Sequence, residues 1–185
     1  MSLRQGLLIA VFAIATAASA HAAGWTETVV HSFNGADGSI AASSVIADAQ
    51  GNLYGVTRDG GFATYGVVYK LTPPAAGQTK WTATTLYDFP GSGAHGGYPA
   101  GALIMDSSGN LYGTTTMGGL GSEGVVFELK PPALGLTKWT ELPFFNFPRG
   151  GADGAEPSSP MIFDTAGNLY GTAGDTVFEL TPPAA

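Results

Sequence analysis

Along the chain, short apolar runs alternate with turn residues, and no window beyond the first twenty-odd residues carries a helical period. The segment WTATTLYDF (residues 81–89) is dominated by β-branched and aromatic residues and predicts a strand. The runs VIA (45–47), LIM (103–105) and MIF (161–163) are apolar without alternation, the pattern of a strand buried on both faces. NLYGTT (110–115) and VVFEL (125–129) predict two more strands, the last with a charged residue between apolar neighbours. Pro-Pro pairs at 73–74, 131–132 and 182–183 mark strand ends, because proline donates no ladder hydrogen bond.

This four-strand unit is written three times. DAQGNLYG begins at Asp48, DSSGNLYG at Asp106 and DTAGNLYG at Asp164, a spacing of 58 residues at each step. Trp25, Trp81 and Trp139 each open a W-T segment that ends at Phe33, Phe89 and Phe147. GVVYKLTPPA (66–75), GVVFELKPPA (124–133) and DTVFELTPPA (175–184) close the three copies. The repeats fall at approximately 25–80, 81–138 and 139–185, within a repeat domain of residues 23–185.

Four antiparallel strands at this period predict an all-β, propeller-like array, since propeller blades recur at about 40–50 residues. A β-solenoid is the competitor, but it would need several coils in each repeat. Each inner triplet of strands is followed by a W-T strand that completes it, except the last. The W-T segment at 25–33 is expected to supply that missing strand from the N-terminal side. Three four-stranded blades fall short of the four to eight that typically surround a channel. Three arrangements answer this: an incomplete propeller cut from a longer array, a homo-oligomer that completes one, or a partly open wedge.

Residues 1–22 change where this array is expected to work. Arg4 supplies a basic start, residues 7–18 an apolar stretch broken by Thr16, and A-x-A sites end at Ala20 and Ala22. That order is a secretory signal peptide, too short for a membrane span, and it predicts a secreted or surface protein. An uncleaved anchor is the alternative. No other stretch is apolar enough to span a bilayer, so no membrane span is expected in the mature chain.

Composition narrows the chemistry. The chain holds 28 Gly and 12 Pro, a level that would suggest low complexity did these residues not recur at fixed offsets as turns. Seven basic against fourteen acidic residues give a formal charge of −7 with no basic patch, which argues against a nucleic-acid partner. With no cysteine there is no disulfide, thiolate metal site or Cys nucleophile.

The run D-x-x-G-N-L-Y-G-T-T, then G-G, then G-x-V-F-x-L-x-P, with a D-G before the next unit, resembles the Gloeo/Verruco (GloVer) tandem repeat. The resemblance covers residues 25–185 in three copies. It implies a propeller-like array on bacterial secreted or surface proteins, and it implies no reaction. The family's C-terminal sorting tail is not matched, since the sequence ends at TPPAA; truncation is the expectation.

Candidate chemistry is sparse. Asp48, Asp106 and Asp164 would cap their own turns, with Gly51, Gly109 and Gly167 at positive φ, rather than form a carboxylate ring. The Trp residues read as packing in preference to sugar stacking, and Tyr54, Tyr112 and Tyr170 as packing residues with a surface phenol. Asp37, His95 and Asp153 share one loop position and are the candidates for Ca²⁺, although each loop offers few oxygens. No other cofactor is implied. In a repeat protein, function belongs where the copies differ. Those residues are Arg58, Asp59, His95, Glu123, Arg149 and Glu156, of which Arg58, Asp59, Arg149 and Glu156 are the ligand-binding candidates. No catalytic motif is present: there is no G-x-S-x-G or H-E-x-x-H, and the Gly-Gly pairs precede no helix. The expected function is a binding or interaction module for a glycan or protein surface. An extracellular polysaccharide hydrolase or lyase, with carboxylates converging from different repeats, is the alternative.

Overall fold

The computed structural model describes residues 25–41, 43–150 and 154–182. The expected leader at 1–22 lies outside the described residues, and so does Asp153. The described residues are all-β, with three antiparallel sheets and no helix among them.

The first sheet contains β1 (Ser39–Ala41), β2 (Ile46–Ala47), β3 (Leu53–Asp59), β4 (Val67–Thr72) and β5 (Thr82–Asp88). Its order is β1-β3-β4-β5, and β2 also pairs with β3. The second sheet repeats this with β6 (Gly96–Pro99), β7 (Ile104–Met105), β8 (Leu111–Gly118), β9 (Val125–Lys130) and β10 (Thr140–Asn146). The third has three strands only: β11 (Ile162–Phe163), β12 (Leu169–Ala173) and β13 (Thr176–Leu180).

Sheet boundaries therefore do not follow repeat boundaries. The W-T strand of the second repeat, β5, pairs with β4 of the first, and β10 of the third repeat pairs with β9 of the second. This interleaving ties each repeat to the next by main-chain hydrogen bonds as well as by packing. The expected closure of the third sheet by residues 25–33 is not found. That segment contains no strand, and Trp25 is 82 % exposed. Only its end is held: Phe33 packs its ring 4.8 Å from Tyr69 of β4 and 4.7 Å from His31.

The innermost strand is split in the first two sheets, giving five strands where four are predicted. β3 and β8 run on beyond the NLYGTT-type core, and their far halves take a separate partner, β1 or β6. Close approach of backbone to side chain permits this. A Cβ at Gly38 would lie 2.5 Å from Thr57 Oγ1, and one at Gly96 would come closer still to Thr115 Oγ1. In the third repeat a single bridge, Pro157 to Ala173, marks the position.

Successive sheets pack face to face. Tyr54, Val56, Val68 and Phe89 on the first meet Leu103, Leu111, Val125, Phe127 and Leu129 on the second. Tyr112, Val126 and Phe147 in turn meet Met161, Leu169, Ala173 and Phe178 on the third. The same edge-on ring contact serves both junctions: Phe89 on Phe127 at 5.1 Å, Phe147 on Phe178 at 5.3 Å. Trp139 lies against the first of these cores and Trp81 against Val67, Tyr69 and Leu71 on the first sheet, as packing residues should. Trp25, also expected to pack, is exposed because its segment pairs with no strand among the described residues. The VIA, LIM and MIF runs are not uniformly buried. Leu103 and Met161 are at 1 % exposure, whereas Val45 is at 44 % and Ile162 at 65 %, because a strand covered on both faces needs a sheet on both sides.

Candidate functional site

Three kinds of polar arrangement recur. The first is structural. Asp48 Oδ1 accepts the backbone N–H groups of Gln50 and Asn52, both at 2.9 Å. Its Oδ2 accepts the Asn52 amide at 2.7 Å and the Tyr54 hydroxyl at 3.0 Å. Asp106 and Asp164 reproduce all four bonds with Ser108, Asn110 and Tyr112, and with Ala166, Asn168 and Tyr170. Gly51, Gly109 and Gly167 take φ of 79°, 81° and 87°, as the turn requires. Burial pushes the Asp48 and Asp106 carboxyls upward, but these donors outweigh it and hold both below the ordinary carboxylate value. At Asp164 the bonds from Asn168 lead, in the same direction. The tyrosines are more than packing. Tyr54 and Tyr112 are buried with their hydroxyls on the turn, and burial followed by the Asp48 bond pushes the Tyr54 phenol up to about 12.

The second arrangement is a rim between repeats. Thr64 and Ser122 are left-handed at φ 69° and 62°, and so are Ile40, Tyr98 and Glu156 at 56°, 56° and 51°. These positions correspond across the copies, and non-glycine residues seldom adopt such φ, at a cost of about 1–3 kcal/mol each. The Tyr98 N–H donates to Tyr65 O at 2.8 Å, and the Glu156 N–H donates to Glu123 O at 2.9 Å. The two junctions share one backbone and carry different side chains. At the first, Tyr65 and Tyr98 meet edge-on at 5.4 Å, with the Arg58 guanidinium 5.2 Å over the Tyr98 ring. A cleft of about 180 Å³ opens there, lined by Tyr65, Tyr98, Ser92, Met117 and Ser122. At the second, the places of Tyr65, Gly91 and Tyr98 are taken by Glu123, Arg149 and Glu156, each 58 residues on. The same loops expose apolar tips. Phe62 is 97 % and Leu120 80 % exposed, at corresponding positions, each with its N–H held by a side chain of the W-T strand, Asp88 or Asn146.

The third arrangement lies beside the W-T strands. Glu141 on β10 is buried, and His95 Nδ1 and the Tyr87 hydroxyl, the latter at 3.4 Å, both reach its Oε2. Its Oε1 has no hydrogen-bond partner among the described residues. Burial raises the Glu141 carboxyl, with the His95 and Tyr87 bonds acting against that. Around the first sheet Ala83, Asp37 and His31 stand at the places of Glu141, His95 and Tyr87. There His31 Nε2 pairs with Asp37 Oδ2 at 2.9 Å, and a cleft of about 450 Å³ lies between His31, Lys80, Trp81 and Ala83.

The predicted residues thus divide. Arg58 and Asp59 do meet, at 3.3 Å, and belong to the aromatic junction. Arg149 and Glu156 share the second junction by register. Asp37 and His95 do not join in one cluster: each turns to its own partner, and among the described residues no three His, Asp or Glu side chains converge on a metal position. Tyr65, Tyr98 and Glu141 were missed in the sequence. Tyr98 and Glu156 differ where the backbone is repeated, which is a readable signal. Glu141 gave none, because Glu27 stands at the same position.

Three interleaved antiparallel units with a shared turn define a tandem-repeat β protein. The chain belongs to the Gloeobacter/Verrucomicrobia repeat family, whose profile matches residues 10–184. No curated protein matches it.

Proposed function

We propose that the chain is a secreted or surface-held, propeller-like interaction module whose inter-repeat rim recognises a protein surface. The interleaving of W-T strands and the face-to-face packing of successive sheets support a propeller-like arrangement. The leader expected at 1–22 supports an address outside the cytoplasm.

One observation carries the reading: a strained backbone is repeated at each junction while its side chains change from Tyr65, Gly91 and Tyr98 to Glu123, Arg149 and Glu156. Strain kept with variable side chains is the mark of a display surface more than of packing. Arg, Tyr, Phe and Met are the residue types enriched at protein interfaces; Arg58, Tyr65, Tyr98 and Met117 gather at one junction, and Phe62 is exposed on the loop that precedes Tyr65. Phe62, Leu120 and Met117 suit an apolar protein partner better than the polar edge of a sugar. Glu141 is too deeply buried to meet a substrate, and its pairing with His95 reads as structural.

Selection from a displayed random-peptide library on the purified chain, with a glycan array run beside it, tests this. Enriched peptides should lose at least tenfold in affinity to Tyr98→Ala and to Arg58→Ala, with thermal stability unchanged. Glycan-array binding without peptide enrichment, or peptides indifferent to both substitutions, would overturn it.

A further inference from the structure

The third sheet stops where the other two continue. β4 carries β5 on its outer side and β9 carries β10, but Val177 to Leu180 of β13 have no strand beyond them among the described residues. The face is as bare as the edge. Val177 is 78 % exposed, while Val68 and Val126, its counterparts, are at 0 %. The chain also holds one W-T segment that pairs with no strand among the described residues: residues 25–30, with Trp25 at 82 % and Val29 at 71 % exposure. The end of that segment is already docked, with Phe33 against Tyr69, much as Phe89 is docked on Phe127. Phe89 ends a segment that does two jobs, packing forward on the second sheet while β5 pairs backward with the first. Residues 25–33 do the forward job only.

We infer that residues 25–30 of a second molecule of this chain add to the edge of β13, reciprocally, to give a closed dimer of six sheets. The internal pairings set the register. Thr84 opposes Lys70 and Leu142 opposes Glu128, so Thr28 opposes Glu179 of the other molecule; Ala83 opposes Leu71 and Glu141 opposes Leu129, so Glu27 opposes Leu180. The sequences fit this. WTETVVHSF (25–33) shares W-T-E and the final Phe with WTELPFFNF (139–147), and TVFEL (176–180) differs from VVFEL (125–129) only at its first residue. The incoming apolar sheet covers Val177 as the second sheet covers Val68. Main-chain pairing at an open edge supplies affinity, and alternate side chains supply specificity. The two reciprocal contacts form one isologous interface when a half turn relates the molecules, and the pair is then closed. Six sheets fall within the four to eight that make a ring. This pairing is independent of what the rim binds.

The test is light scattering on the purified chain across a hundredfold range of concentration, joined to cross-linking. The chain has no native cysteine, so Thr28→Cys with Glu179→Cys reports one register without interference. The expected results are twice the chain mass and a disulfide-linked dimer on mild oxidation. Thr26→Cys with Glu179→Cys, two residues out of register, should link far less. Consecutive prolines at Glu27 and Thr28, one of which must face the edge, should give a folded monomer. Because these residues lie in no strand of the single molecule, the substitution leaves its sheets intact. A monomer at every concentration, a disulfide that joins the two introduced cysteines within one molecule, or growth beyond the dimer would each overturn the inference.

Discussion

The second and third sheets are built from nearly the same words and end in different states. VVFEL in β9 has every residue buried, with Val125, Val126, Phe127 and Leu129 at 0 % exposure. TVFEL in β13 leaves Val177 at 78 % and Phe178 at 9 %. The local sequence is not what differs. The second sheet has β10 along its edge and a sheet on each face, whereas the third has its neighbours on one side only. In a repeat array a strand's environment is set by its position among copies, so stability is a sum of unit and junction terms. The largest test of this compares equivalent phenylalanines. Phe127→Ala should cost about 3–5 kcal/mol, the range for a large side chain removed from a closed core. In the monomeric Glu27→Pro, Thr28→Pro background, Phe178→Ala, at a partly open junction, should cost measurably less by urea titration. Equal losses would break the comparison.

A sharper version leaves volume almost unchanged. Val126→Thr puts a hydroxyl where no solvent reaches, at about 1–3 kcal/mol. In the monomeric Glu27→Pro, Thr28→Pro background, Val177→Thr changes a side chain that is mostly in water, and should stay within about 0.5 kcal/mol of its parent. Thermal melts of the two variants side by side give the answer. In the unsubstituted chain, where the dimer covers β13, Val177→Thr should approach the cost of Val126→Thr, and a neutral effect there would count against the dimer.

Much of this was legible from residues. The period, the D-x-x-G-N turn and the use of each W-T strand to complete the preceding sheet follow from composition of the runs and from the order in which they occur. What was not legible depends on backbone approach and on neighbours. The split inner strand rests on Gly38 and Gly96 coming against Thr57 and Thr115, and a Gly-rich loop announces no such contact. Residues 25–33 look like a strand because their β propensity is high, yet a strand exists only with a partner, and this segment has none among the described residues. The rim was half legible. Arg58 and Arg149 stood out as departures from the repeat, but Tyr98 over Arg58 required the left-handed turn that brings Tyr98 back to Tyr65.

The D-x-x-G-N turns offer a smaller contrast. Asp106→Ala removes four hydrogen bonds from a partly buried turn and should cost about 1–2 kcal/mol. Asp164 makes the same four bonds in a more exposed turn, so Asp164→Ala should cost less. Chemical denaturation resolves the two, and a larger loss at Asp164 would mean that the third sheet depends on its turn because its junction is incomplete.

The smallest effect is read as a slope against pH, and the two kinds of carboxyl give opposite signs. Asp106 lies below its ordinary value in the fold, so the unfolded chain binds its proton first as acid is added. Its contribution is whole above 3.8 and is lost as pH falls through the lower, native value. Glu141 lies above its ordinary value of 4.5, through burial, so between the two values the native state holds a proton that the unfolded chain has released. Its contribution is therefore whole below 4.5 and declines as pH rises toward the native value. The second sheet carries both slopes. The third carries only the Asp164 kind, because among the described residues no strand brings a carboxyl to the place that Glu141 fills. Urea stability measured from pH 3 to pH 7 should lose its decline above 4.5 in Glu141→Gln and its steepness below 3.8 in Asp106→Asn. If Glu141→Gln kept the decline, the titrating group would lie elsewhere.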